Sequence, residues 1–150
     1  MMSAPVRSKL EALGLSASCA EVLAHLWDYL DEQITPTSAE RLQAHIATCV
    51  GIDVVDILGK RRTPPDRLVV DAFAERRAAH PRRVELVRLT FTVDGSGIEI
   101  EPTERAVALA LEKYCSVAAT LASDVVVETA VVANGVAAPI VRRAGGDPVR

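Results

Sequence analysis

The sequence predicts an α+β fold in which helices pack on an antiparallel sheet. Three observations lead there. Apolar residues recur at helical spacing over 19–30, 38–60 and 103–121. They alternate with other side chains over 67–77 and 84–93. A β-branched run, 125–133, follows the last helix. The order is therefore helix, helix, strand, strand, helix, strand.

Each element has its own signals. Residues 1–17 are weakly patterned. In the first helix Val22, Leu23, Leu26, Tyr29 and Leu30 share a face, and Ser18 with Glu21 forms a capping box. Ile34-Thr35-Pro36-Thr37-Ser38 ends it. The second helix starts near Thr37 or Ser38 and continues to about Lys60. It is amphipathic as far as Cys49 and more apolar beyond, through Val50, Ile52, Val54, Val55, Ile57 and Leu58. Thr63-Pro64-Pro65-Asp66 breaks it.

The first strand sets Val69, Asp71, Phe73 and Glu75 against Leu68, Val70, Ala72 and Ala74. After a turn at His80-Pro81-Arg82, the second places Val87, Leu89, Phe91 and Val93 on one face. Asp94-Gly95-Ser96-Gly97 is a turn. Pro102 precedes a buried helix from about Thr103 to Leu121, with Val107, Leu111, Cys115 and Ala118 in one row. After the strand 125–133, the segment Arg142 to Arg150, with Gly145-Gly146 and Pro148, reads as a mobile tail.

Composition limits the functions. A chain of 150 residues is about one domain. It is 49% hydrophobic but 3% aromatic, so its core is Ala, Val, Leu and Ile. A net charge of −3 leaves no electrostatic footprint for nucleic acid. Lys60-Arg61-Arg62 and Arg76-Arg77 with Arg82-Arg83 read as solvated charge. No uninterrupted apolar run reaches the roughly 18 residues of a membrane span, and Lys9 and Glu11 interrupt any signal-peptide stretch. The expected compartment is the cytoplasm. Three cysteines there point to free thiols, redox chemistry or metal rather than a disulfide framework. His25 and His80 have no ligand-like neighbours in the sequence.

Cys49 is the residue through which two motifs run. Read forward, Ser38-Ala39-Glu40 leads into Cys49-Val50-Gly51-Ile52-Asp53-Val54-Val55-Asp56-Ile57-Leu58 and Lys60-Arg61-Arg62. Ala74-Glu75-Arg76-Arg77, His80-Pro81 and Phe91-Thr92-Val93-Asp94-Gly95 follow. Ala106-Val107-Ala108-Leu109 and Glu112-Lys113-Tyr114-Cys115-Ser116-Val117-Ala118-Ala119-Thr120-Leu121 come last. Together, over about residues 38–133, these segments resemble the OsmC/Ohr family of thiol-dependent peroxidases. The resemblance implies an intertwined homodimer that reduces organic hydroperoxides at the expense of a thiol reductant, without a cofactor. It implies Cys49 as the peroxidatic thiolate and Cys115 as the thiol that resolves its sulfenic acid. It implies Glu40 as the acid that orients a catalytic arginine. That arginine belongs to strands preceding the first helix in the family, whereas the first 35 or so residues here read as helical, and Arg7 is the candidate by default.

Read backward, Cys49 closes a different pattern. Cys19-Ala20-Glu21-Val22-Leu23, Leu26-Trp27-Asp28-Tyr29-Leu30-Asp31, Thr35-Pro36 and Arg41-Leu42-Gln43-Ala44-His45-Ile46-Ala47-Thr48-Cys49 resemble the zinc-binding, mycothiol-system type of anti-sigma factor. His45 and Cys49, at i and i+4, share a helical face and can reach one Zn²⁺. The resemblance implies Cys19, His45 and Cys49 as ligands, a Cys19–Cys49 switch and a sigma factor as partner. The family's next cysteine position is Ile52 here, which leaves three protein ligands where a structural site takes four.

The two resemblances meet at Cys49. The sequence therefore divides into an anti-sigma-like helical hairpin (1–48), an OsmC-like α+β region (49–135) and a flexible tail (136–150). The leading functional expectation is a cysteine-based peroxidase. The alternative is a redox-sensitive, zinc-associated regulator of a sigma factor.

Overall fold

The structure is a computed structural model and describes residues 36–146. The first predicted helix, Cys19 and Arg7 lie outside the described residues, as do 147–150.

A single helix, α1 (Pro36–Lys60), opens the described chain. It runs without interruption through the point where the two resemblances meet. Ile46, Val50, Val54 and Leu58 recur along it at four-residue steps and are buried, which gives α1 one core-facing stripe. Counted as a whole helix rather than an unbroken apolar run, Leu42–Lys60 is long and apolar enough to cross a membrane, with a mean hydropathy of 1.4. Here its apolar stripe belongs to the core instead. The helix packs on β1 at Gly51, where a Cβ would stand 3.4 Å from a Val70 methyl, in ordinary van der Waals contact. Arg62, with φ of 63°, ends the turn after α1.

Strand β1 (Arg67–Arg76) pairs antiparallel with β2 (Val84–Asp94). The alternation read from the sequence holds in both. On β2, Val87, Leu89, Phe91 and Val93 are buried, while Thr90 and Thr92 lie half-buried on the other face and Arg88 is exposed there. The chain then forms α2 (Ile100–Leu109), a π-helical turn (Ala110–Tyr114) and a short α3 (Ser116–Thr120). Strand β3 (Val126–Ala133) follows, and β4 (Val136–Ala137) and β5 (Val141–Ala144) both pair along its far side.

Three sequence expectations are corrected. The sheet is mixed, because β3 runs parallel to β2, Leu86 opposite Val126 through Val93 opposite Ala133. The long connection through α2 and α3 permits this, since parallel neighbours need a crossover and a hairpin would force antiparallel pairing. The helix expected over 103–121 starts at Ile100 and is broken: Cys115 N–H donates to the Ala110 carbonyl at 2.7 Å, five residues back, and Cys115 itself leaves the helix with φ −72° and ψ 105°. Finally, the segment read as a flexible tail contains two strands, Val136–Ala137 (β4) and Val141–Ala144 (β5). The return strand is interrupted between them at Pro139, which has no N–H to give a ladder. Gly145 N–H donates to the Val125 carbonyl at 2.7 Å and ties down the end of β5.

One core unites the elements. It joins the α1 stripe to Leu89 and Phe91 of β2, Val107 of α2, Leu111 of the π-helical turn, and Val127 and Val131 of β3. The opposite face of the sheet carries a register row across four strands: Phe73, Arg88, Glu128 and Arg142. Arg88 lies over the Phe73 ring, 5.9 Å from its centre. Both arginines hold Glu128, at 2.9 Å and 2.6 Å.

Candidate functional site

The core stripe of α1 leaves Cys49 and Asp53 at its margin. They are one turn apart on the same face, at i and i+4, and both are half-buried. Cys115 comes from the other direction. It stands where the π-helical turn gives way to α3, in extended backbone, and it is buried. A π turn accommodates one more residue than an α turn, and such turns recur at functional sites. Here it delivers Cys115 to α1. The sulfurs of Cys49 and Cys115 and a carboxylate oxygen of Asp53 all lie within 4.8 Å of one another. Both thiols are free.

The electrostatics of the three groups differ. Burial pushes the Cys115 thiol up to about 11. The Ala118 N–H, which donates to Cys115 Sγ at 3.5 Å, opposes that shift, and the neighbouring Cys49 adds to it. Burial also raises the Asp53 carboxyl above its ordinary range, with a further push from the charge of Asp56. Asp53 Oδ2 is shut away from solvent without a hydrogen-bond partner. Asp56 is held by Lys60 at 2.5 Å. Beside Asp53 a cleft of about 290 Å³ opens, lined also by Lys60, Arg61, Leu109 and Tyr114.

This arrangement can do two kinds of chemistry. Two thiols at such a separation can close to a disulfide, whose S–S bond is about 2.05 Å, with a rotamer change or a small shift of the Cys115 backbone. Two sulfurs and a carboxylate oxygen can also offer three ligands to a thiophilic cation.

Of the residues expected from the sequence, Cys49 and Cys115 are brought together. Glu40 belongs to the opening turns of α1, and its side chain lies outside the described residues. His45 is exposed on α1, one turn before Cys49, and is not among the converging atoms. Its expected zinc partner Cys19 lies outside the described residues. Asp53 is the site residue that sequence reading missed. The signal was present: it stands at i+4 from Cys49, the same spacing that marks His45 on the other side.

Comparison with known proteins gives the family. Residues 31–130 match the family described as OsmC-like protein. The protein YhfA of Escherichia coli K12 is 37% identical over 112 residues, which cover 75% of this chain and 81% of YhfA. A crystal structure of a hypothetical protein from Aquifex aeolicus VF5 superposes with a TM-score of 0.60 at 30% identity, over 67% of this chain and 74% of that one. A proposed osmotic stress induced and detoxification response protein from Psychrobacter arcticus 273-4 shares the fold, with a TM-score of 0.51 at 19% identity over 66% of each chain. A shorter match is of another kind: the anti-sigma factor RshA of Mycobacterium tuberculosis is 48% identical over 33 residues, 22% of this chain and 33% of RshA. The family match and the YhfA match each extend over most of the described fold and leave one conclusion: the chain belongs to the OsmC-like protein family.

Proposed function

We propose that this protein is a cysteine-based peroxidase that reduces organic hydroperoxides. The observation that carries the reading is the approach of the Cys49 and Cys115 sulfurs, on separate elements, to within 4.8 Å. The Cys49 thiolate attacks the terminal peroxide oxygen. The O–O bond breaks, Cys49 becomes a sulfenic acid, and the alkoxide leaves and takes up a proton as the alcohol. Cys115 then attacks the Cys49 sulfur, and the sulfenic oxygen leaves as water. An external thiol reductant returns the disulfide to two thiols by exchange. Cys49 is the more accessible of the pair and Cys115 the more buried, which suits these roles. No cofactor enters this cycle. The reading includes a homodimer, with Glu40 orienting an arginine as the family resemblance implies, and a reducing compartment such as the cytoplasm.

The test is peptide mapping after one equivalent of cumene hydroperoxide without reductant. A Cys49–Cys115 bridge, with hydroperoxide consumed stoichiometrically, is the expected result. Intact thiols alongside unconsumed hydroperoxide would sink the reading.

A second reading rests on the 33-residue match to RshA. In it the N-terminal hairpin binds a sigma factor under reducing conditions and Cys49 pairs with Cys19. A Cys19–Cys49 bridge in the same mapping experiment, or capture of a sigma factor that oxidation abolishes, would favour it.

A further inference from the structure

We propose that Asp53 is the proton carrier of the resolving step: its carboxylate takes the proton from the Cys115 thiol as Cys115 attacks the Cys49 sulfenic acid, and passes it to the departing hydroxide. The inference deepens the peroxidase reading and rests on it. Three observations support it.

The first is position. A carboxylate oxygen of Asp53 lies within 4.8 Å of the sulfur that must lose a proton and of the sulfur whose oxygen must gain one. That span is met directly after a small side-chain turn, or through one water, the reach a general base requires. The second is the state of the carboxyl. Oδ2 is shut away without a hydrogen-bond donor in the reduced protein. Buried polar atoms are normally paired, and a catalytic role is one of the recognised reasons for an orphan at a reactive cluster. The third is need. Burial pushes the Cys115 thiol up to about 11, so at neutral pH it is held in its protonated form. A resolving thiol in that state gains little from waiting for solvent to deprotonate it.

The surrounding charges leave Asp53 free for this role. Facing it on α1 are Cys49, Asp56, Lys60 and, beyond the helix end, Arg61; from the π-helical turn come Tyr114 and Cys115. Lys60 is engaged by Asp56 at 2.5 Å. Asp56 in turn raises the Asp53 carboxyl, in the same direction as burial. A carboxylate of raised basicity accepts a thiol proton more readily than an ordinary one.

The step balances. The Cys115 S–H bond breaks and its proton joins Asp53. The freed sulfur pair forms the S–S bond, the Cys49 S–O bond breaks, and the leaving hydroxide takes the proton from Asp53 as water. The carboxylate is regenerated, and the two sulfurs have exchanged sulfenic acid and thiol for a disulfide.

The test separates the two steps in the full-length protein. Wild type, Asp53→Asn and Asp53→Glu are mixed with one equivalent of cumene hydroperoxide. Cys49 sulfenic acid is trapped with dimedone, and the Cys49–Cys115 bridge is followed by mass spectrometry between pH 6 and 9.5. Sulfenic acid should accumulate in Asp53→Asn, with bridge formation slowed about 100-fold relative to sulfenate formation. Its bridging rate should rise about tenfold per pH unit while that of wild type stays nearly level. Asp53→Glu should restore much of the rate. Bridging in Asp53→Asn at the wild-type rate and with the wild-type pH profile overturns the proposal, and so does equal slowing of both steps. A wild type that never forms the Cys49–Cys115 bridge overturns the peroxidase reading itself.

Discussion

Cys115 reaches Cys49 from the end of a π-helical turn, its sulfur accepting the Ala118 N–H at 3.5 Å while it lies within 4.8 Å of the Cys49 sulfur. The two thiols are unequal, one half-buried in a helix and the other buried at a break between helices. That inequality sets the outcome of removing each.

Cys49→Ser should abolish thiol-dependent loss of an organic hydroperoxide. Cys115→Ser should leave the first oxidation possible but strand Cys49 as a sulfenic acid, open to over-oxidation on repeated exposure. Cys19→Ser should retain full activity. The measurement is hydroperoxide consumption with dithiothreitol as reductant, together with intact mass after one and ten equivalents. Loss of activity in Cys19→Ser while Cys115→Ser keeps it would reverse the order of the two readings.

Metal removal distinguishes the same readings in another way. A thiol peroxidase of this kind works without metal, so dialysis against a chelator should leave hydroperoxide consumption unchanged. Added Zn²⁺ should inhibit, because Cys49, Asp53 and Cys115 can offer it three ligands and a bound thiolate cannot attack peroxide. Cys115→Ser should weaken that inhibition and His45→Ala should not. A stoichiometric zinc lost in His45→Ala would instead support the set Cys19, His45 and Cys49.

Much of the fold was legible because burial is periodic. The rows Val87-Leu89-Phe91-Val93 and Val107-Leu111-Cys115-Ala118 were assigned inward from spacing alone, and all eight are buried. What spacing does not encode is partner choice. Strand β3 reads the same whether its neighbour is parallel or antiparallel, and the helices before it decided that. The break at Cys115 has no Gly or Pro to announce it; it follows a π turn in which Cys115 N–H donates to the Ala110 carbonyl. Arg142 and Arg143 read as tail charges because their counter-ions, Glu128 and Glu112, are distant in sequence. Asp53 is marked in the sequence only by its i+4 spacing from Cys49, the spacing that also relates His45 to Cys49 on the other side.

The Glu128 row predicts an acid-sensitive fold. Glu128 is buried on the sheet face opposite the helices, and the hydrogen bond from Arg88 is the main cause holding its carboxyl below the ordinary range, with Arg142 adding to it. A carboxyl depressed in the folded state contributes stability above its unfolded value, about 4.3, and loses it as pH falls through the depressed folded value. Urea unfolding between pH 7 and 3 should therefore show the wild type losing stability on acidification. Glu128→Gln should start lower at pH 7 and lose less, so that the two curves converge. Parallel curves would remove Glu128 from the acid response.

Asn134 closes the sheet end of the molecule and makes the last prediction. It occupies the turn between β3 and β4 with φ of 46°, a left-handed conformation that Asn tolerates and most residues do not. Its Nδ2 donates to the carbonyls of Gly95 and Ile98, both at 2.9 Å, and its Oδ1 accepts the Gly95 N–H at 3.0 Å. The side chain thus ties the turn after β3 to the turn that leads into α2, and Gly95 itself has no room for a side chain, since a Cβ there would come within 2.9 Å of the Asp66 amide nitrogen. Asn134→Ala loses the three hydrogen bonds and adds backbone strain, at a cost of about 1–3 kcal/mol. Asn134→Gly loses the bonds but not the conformation. Thermal melts should rank wild type above Asn134→Gly and Asn134→Gly above Asn134→Ala. A glycine variant as stable as wild type would mean that the turn conformation matters and the clasp to Gly95 does not.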